Sequence, residues 1–129
     1  VVSHRQAWTD AGCPGGEQPP VGLLRNLWIA DSEAQRRQAL DWVRSSYLVY
    51  AGLGWGADDT GVDFRAQIEA SMDEVEASAI VGSADQVADE LAQYDVDLVI
   101  ARIGYDQPPR SALTEVIERI GTELVGMVA

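Results

Sequence analysis

The sequence predicts an α/β fold in which parallel strands alternate with helices. Three short apolar runs, at about residues 23–30, 79–82 and 97–104, have the length and composition of buried strands. Each run is followed by a segment with helical periodicity, and this alternation favours parallel strands joined by crossover helices. We therefore interpret residues 1–129 as a single α/β segment.

The first strand lies between a loop and a long helix. Residues 12–20 are rich in glycine and proline, which predicts a connection after a short initial helix. The apolar run that follows ends at Asp31 and Ser32, and either side chain has the chemistry to cap the next helix. We expect that helix to continue to about Tyr50, where glycines interrupt the pattern.

The second strand has the clearest local signal for a following helix. A glycine- and aspartate-rich loop at about 55–61 and a helix over 64–76 are predicted before it. After the strand at 79–82, Ser83 and Gln86 have the spacing of a capping box, in which each residue's side chain bonds the other's backbone N–H.

The third strand ends near a pair of prolines. The run at 97–104 is apolar apart from Asp97 and Arg102, and Pro108-Pro109 precedes a helix predicted from about Ser111. A parallel sheet of only three strands has two open edges that need to be covered. We therefore expect the chain to require further sequence or a partner.

Composition excludes several classes of function. The chain has 21 acidic and 9 basic residues, a net charge of −12, and all of its basic residues are arginines. This charge repels a nucleic-acid backbone, and the absence of lysine excludes Schiff-base chemistry. A single cysteine, no apolar run long enough to cross a bilayer and no signal-peptide pattern at the start predict a cytoplasmic protein without a membrane partner.

Two segments carry a resemblance to a known family. Residues 79–91, AIVGSADQVADEL, are similar to the late I-V-G-[ST]-x-x-x-V-A-x-x-L signature of the luciferase-like monooxygenases, and a V-D-x-[LV] strand follows. Residues 24–34, LRNLWIADSEA, resemble the R-x-x-x-[VI]-A-[DE]-[ST]-x-x-[EA]-A strand-to-helix step of the same family. Residues 5–12 look like the helix end R-x-x-W-x-x-A-G that precedes it.

The resemblance implies a fold, a cofactor and an activity. It implies that the chain is the C-terminal segment of a TIM-type (β/α)8 barrel, from an oxidoreductase or monooxygenase that uses reduced FMN or a deazaflavin coenzyme on a small organic substrate. The chain alone is then expected to be inactive, and to pair as a homodimer or with the missing N-terminal half of the barrel. The alternative is a non-catalytic half-barrel that serves as a binding or dimerisation module.

Candidate site residues lie where the predicted strands end. Arg102 is a permanent cation in an apolar strand and needs either a substrate or cofactor anion or an internal carboxylate partner. Tyr105 stands where some relatives that act on sulfonates have a strand-end G-Y-P tyrosine, although Asp106 follows here; the alternative is a surface-loop tyrosine. Gly82 and Ser83 are either a backbone contact for the cofactor or only a helix cap.

Overall fold

Helices and strands alternate through the described residues as the sequence predicts. The computed structural model describes residues 4–12, 20–54, 63–104 and 108–128. In chain order the elements are α1 His4–Asp10, β1 Gly22–Ile29, α2 Glu33–Gly52, α3 Phe64–Ala70, α4 Asp73–Ala77, β2 Ala79–Gly82, α5 Ala84–Leu91, β3 Leu98–Arg102, α6 Arg110–Arg119, a π-helical turn Ile120–Leu124 and α7 Val125–Val128.

The three predicted strands form one parallel sheet. β1 pairs with β2 through residues 26–29 and with β3 through residues 22–26. The bounds of β1 and β2 agree with the prediction to within one residue, but β3 is shorter than the predicted 97–104. It stops before Gly104, whose φ of +134° is not an extended-strand conformation.

The predicted helix over 64–76 is two helices. Ser71 has an extended backbone, with φ −143° and ψ 150°, and this conformation ends α3. The Ser71 hydroxyl accepts a hydrogen bond from the Asp73 amide at 3.0 Å, which supplies a polar partner for the first turn of α4.

The strand order is β2-β1-β3, with the first strand in the centre. In a (β/α)8 barrel consecutive strands are neighbours, so a run of three barrel strands would place β2 between the other two. The observed order instead matches the beginning of a doubly wound sheet, in which the chain reverses direction across the first strand. The expected α/β class is confirmed, and the order differs from that of a consecutive barrel segment.

Helices pack on both faces of β1, as this strand order requires. Trp28 points into a cluster with residues of α2, α3, α4 and α6. Leu27 and Ile29 point the other way, into a cluster with α5 and the π-helical turn. Because α6, this turn and α7 are continuous, we refer to them together as the last helix. Alternate residues of a strand face opposite sides, so β1 is the central, doubly covered strand of the molecule.

The last helix contributes to both clusters. Val116 of α6 packs with the α2 side, and Leu124 of the π-helical turn packs with the α5 side. Ile120 contacts both clusters. This helix therefore links the two layers that the sheet separates.

Part of one sheet face is apolar and uncovered. Leu24, Leu98 and Ile100 are 53%, 56% and 50% exposed, and Leu24 is the register partner of Ile100. The alternation of side chains places all three on the face that carries Asn26 and Arg102. This apolar strip runs toward the amino ends of β1 and β3.

Candidate ligand site at the carboxyl edge of the sheet

The carboxyl ends of the strands meet at one edge, and the strand order singles out one position on it. The Ala30 amide, just after β1, donates to the Gly82 carbonyl at the end of β2 at 2.7 Å. On the other side of β1 lies β3, which the chain reaches only after reversing direction. In open α/β sheets ligands bind in the crevice at such a reversal, at the carboxyl ends of the strands.

Arg102 ends β3 beside this reversal and is held by the neighbouring strand and helix. Its Nε donates to Asn26 Oδ1 at 2.7 Å, and the two residues are register partners. Its Nη2 donates to the Tyr47 hydroxyl at 3.4 Å, and Asn26 Nδ2 donates to the same hydroxyl at 2.9 Å. Asn26 and Tyr47 are both buried, so the guanidinium rests on a fixed polar support.

Two tyrosine rings also contact the Arg102 guanidinium. Its central carbon lies 5.7 Å from the ring centroid of Tyr47 and 5.9 Å from that of Tyr50, within the range of cation–π attraction. These contacts stabilise the positive charge without neutralising it.

No carboxylate pairs with Arg102 in the part of the chain that the structure describes. The internal ion pair that the sequence left open is therefore not observed there. A guanidinium has five N–H donors, and the two bonds to Asn26 and Tyr47 leave donors for another group. The arrangement has the chemistry to bind an anion such as a carboxylate, sulfonate or phosphate.

Ser83 and Gln86 form the predicted capping box, directly after Gly82. The Ser83 hydroxyl accepts a hydrogen bond from the backbone N–H of Gln86 at 3.3 Å, and the side-chain oxygen Oε1 of Gln86 accepts one from the backbone N–H of Ser83 at 2.9 Å. The Ser83 amide is therefore already engaged by the protein. The nearby cavity is lined by the acidic side chains of Asp31 and Glu33 and by Arg36, which pairs with Glu76 at 3.6 Å. The lining is therefore net acidic, and this part of the edge suits a phosphate poorly. Cofactor contact at Gly82 and Ser83 stays a prediction.

The remaining candidate residues are Tyr105 and the two possible caps of α2, Asp31 and Ser32. Tyr105 lies outside the described residues, so its predicted role stays a prediction. Ser32, and not Asp31, caps α2, because the Ser32 hydroxyl accepts from the Gln35 amide at 3.3 Å. Asp31 has a different role that the sequence did not indicate, which is to pair with a distant arginine.

That arginine is Arg119, at the end of α6. Its Nη1 lies 2.9 Å from Asp31 Oδ2, and its Nε and Nη2 contact Glu123 at 2.7 and 2.8 Å. The hydrogen bond from Arg119 lowers the pKa of Glu123 below its usual range, and the two carboxylates raise the pKa of Arg119. The cluster fastens the last helix to the carboxyl end of β1.

Beside this cluster a cavity of about 290 Å³ lies between α2 and α6. Its walls include Trp28 and Trp42, whose ring centroids are 5.0 Å apart at a tilt of 42°. The Trp28 indole N–H is buried and has no hydrogen-bond partner among the described residues. The sequence marked these tryptophans as core or interface residues, and no local pattern indicates that they border a cavity with Glu115 and Arg119.

Within the described ranges, no helix is both long enough and apolar enough to cross a membrane. Over the same residues, no three His, Cys, Asp or Glu side chains are arranged to hold a metal ion.

Comparisons with protein-family models, with curated proteins and with solved structures find no match for this chain.

Proposed function

We propose that this chain is part of a flavin- or deazaflavin-dependent oxidoreductase, similar to the luciferase-like monooxygenases, that acts on a small organic substrate in the cytoplasm. The observation that carries the proposal is Arg102, a supported guanidinium without a carboxylate partner in the described structure. It is the last residue of β3, on the side of β1 where the strand order reverses, and its register partner Asn26 lies three residues before the end of β1. Doubly wound sheets bind nucleotide-type cofactors and their substrates beside such a reversal. The luciferase-like signature supplies the choice of cofactor.

The described residues fit one part of a flavin or deazaflavin cofactor, which is its anionic phosphate. Arg102 fits the anionic phosphate of such a cofactor, or an acidic group of the substrate, because its free donors match oxygen acceptors. Gly82 and Ser83 fit this phosphate less well, since Gln86 already occupies the Ser83 amide.

The protein's own residues would bind and orient. When bound, the cofactor supplies the redox step, as in other cofactor enzymes. Asn26 and Tyr47 hold the plane of the guanidinium, and Arg102 fixes the position of the anionic group. Tyr105 remains a candidate for substrate contact just beyond the same strand.

The proposal does not require that these strands close a (β/α)8 barrel. The resemblance implies that fold, but β3 would have to exchange its pairing with β1 for a pairing with β2 to take its place in one. Cofactor class and barrel closure are therefore separate parts of the resemblance, and the proposal concerns the first.

Binding of reduced and oxidised cofactor tests the proposal. FMN and a deazaflavin coenzyme are titrated separately into the chain, and binding is followed by cofactor fluorescence. We expect saturable binding of one of them, weakened about tenfold or more by Arg102→Met, because a charge-assisted bond contributes about 1.5–3 kcal/mol. The matched control is Arg110→Met, since Arg110 is exposed on α6 and outside the polar support of Arg102.

A second candidate function is a binding or dimerisation module. The specific observation in its favour is the exposed apolar strip of Leu24, Leu98 and Ile100. Analytical ultracentrifugation distinguishes the two proposals. A colourless dimer that Ile100→Ser dissociates, with no binding of either cofactor, would contradict the oxidoreductase proposal and support the module.

A further inference from the structure

The cavity between α2 and α6 is separate from the surroundings of Arg102. Arg102 does not line it, and its volume of about 290 Å³ is close to the lower end of the usual range for small-molecule sites, roughly 300–1,000 Å³. Its mouth is formed by exposed residues of both helices, including Gln38 of α2 and Glu115 of α6. A small molecule therefore has access to it from solvent.

The cavity has an electron-rich aromatic wall. Trp28 and Trp42 come from β1 and α2, and their tilted contact fixes both rings. The face of an indole carries partial negative charge, and tryptophan is the best aromatic partner for a cation. The other apolar wall residues come from the end of β1, the start of α2 and α6, and are Ile29, Ala34, Ala112 and Val116.

The charges around the cavity also favour a cation. Arg119 is the only cationic side chain in the described lining, and Asp31 and Glu123 both pair with it. Glu115 lines the cavity, is exposed and makes no ion pair in the described structure. In the lining itself the charges of Arg119 and Glu115 balance. The carboxylates of Asp31 and Glu123, which pair with Arg119 from outside the lining, bring the sum over these four groups to −2, in a chain whose net charge is −12.

We propose that this cavity binds a small organic cation, a substituted ammonium group with an apolar body. The ammonium group meets the indole faces and the Glu115 carboxylate, and the apolar substituents meet the remaining wall. An anionic ligand is disfavoured because Arg119 is already paired and the surroundings are acidic. The inference does not depend on the proposed redox function, because it uses none of the residues around Arg102.

The test compares two molecules of the same shape and different charge. Choline is the cationic probe, and 3,3-dimethylbutan-1-ol is its neutral counterpart. Each is titrated into the ¹⁵N-labelled chain at constant ionic strength, and NMR follows the indole N–H signal of Trp28 and the backbone N–H signals of the lining residues, which are present in every variant. We expect choline to bind about tenfold more tightly than the alcohol, because only the cation is attracted to the indole rings and to the Glu115 carboxylate.

Three variants locate the site. Glu115→Gln is expected to weaken choline binding about threefold, a size typical of an exposed charge pair, whereas Glu118→Gln on the same helix should have no effect because Glu118 does not line the cavity. Trp42→Leu is expected to abolish the preference for choline over the alcohol. Its folding is checked by circular dichroism, and Glu115→Gln provides the test on an exposed position if Trp42→Leu does not fold.

The outcomes separate clearly. Equal binding of choline and the alcohol, unaffected by Glu115→Gln, would mean that the cavity is merely apolar and would overturn the proposal. Shifts in neither titration would also overturn it. Loss of choline binding in Arg102→Met, with no effect of Glu115→Gln, would place the cation elsewhere and contradict this site.

Discussion

Replacement of Gly82 by alanine tests the structural role of the second strand end. A Cβ atom at this position would lie 2.7 Å from Gln86 Oε1 and 3.0 Å from Gln86 Cβ. The Gln86 side chain must therefore move, and its 2.9 Å bond to the Ser83 amide is lost. Gly82 is thus required because the reciprocal half of the capping box occupies the space that a side chain would fill.

The expected magnitude follows from three contributions. Loss of the hydrogen bond costs about 1 kcal/mol, and the close approach to Gln86 Cβ adds about 0.5–1 kcal/mol of steric strain. Alanine recovers about 0.5–1 kcal/mol of conformational entropy relative to glycine. We therefore expect Gly82→Ala to lower the free energy of unfolding by roughly 1 kcal/mol.

The decisive measurement is the same substitution in a Gln86→Ala background. There the hydrogen bond is already absent, so Gly82→Ala should change the free energy of unfolding by less than about 0.5 kcal/mol. Gln86→Glu is the matched control, because a carboxylate oxygen retains the acceptor and the sensitivity to Gly82→Ala. Urea unfolding followed by circular dichroism gives each value.

Additivity would refute this reasoning. If Gly82→Ala lowers the free energy of unfolding equally with and without the Gln86 side-chain amide, the two residues are not coupled and the glycine is required for another reason.

Three further predictions concern the core, the acidic limit of stability and the support of the guanidinium. Leu27→Ala should lower the free energy of unfolding by about 2–5 kcal/mol, because the side chain is 1% exposed, whereas Leu24→Ala should change it by less than about 0.5 kcal/mol; urea unfolding of the two variants checks both values. The pKa of Glu123 is lowered in the folded state from an unfolded value near 4.5, so its contribution to folding stability is present above that pH and is lost as the pH falls through the folded pKa. We therefore expect thermal unfolding of Glu123→Gln to show a smaller loss of stability on acidification. An unchanged pH profile would argue against the pair with Arg119. Tyr47→Phe should cost about 1–3 kcal/mol, because the buried amide that donates to the hydroxyl loses its acceptor, and a near-zero effect in urea unfolding would contradict that support.

Sequence patterns predicted helix and strand ends well where the interactions that set them join residues close in sequence. The capping box at Ser83 and Gln86 depends on residues three apart, and it fixed both the end of β2 and the start of α5. The extended backbone at Ser71 was missed, because the apolar pattern of 64–76 continues through it and the serine hydroxyl acts only as a local acceptor.

Long-range features were not accessible from local patterns. The strand order depends on which strand β3 joins, and neither β1 nor β3 carries a side-chain signal that specifies its neighbour. The position of Arg102 identified it as a residue that needs a partner, but its support by Asn26 and Tyr47 joins residues 76 and 55 positions apart. The pair of Arg119 with Asp31 spans 88 positions and could not be inferred from spacing.

The dual packing of the last helix constrains how the molecule can be altered. Ile120 packs against the hydrophobic clusters on both sides of the sheet. A substitution that changes side-chain volume in one cluster therefore shifts Ile120 and disturbs its packing in the other. Redesign of either side alone would therefore disturb both. Successful variants of this chain should combine compensating changes across the sheet.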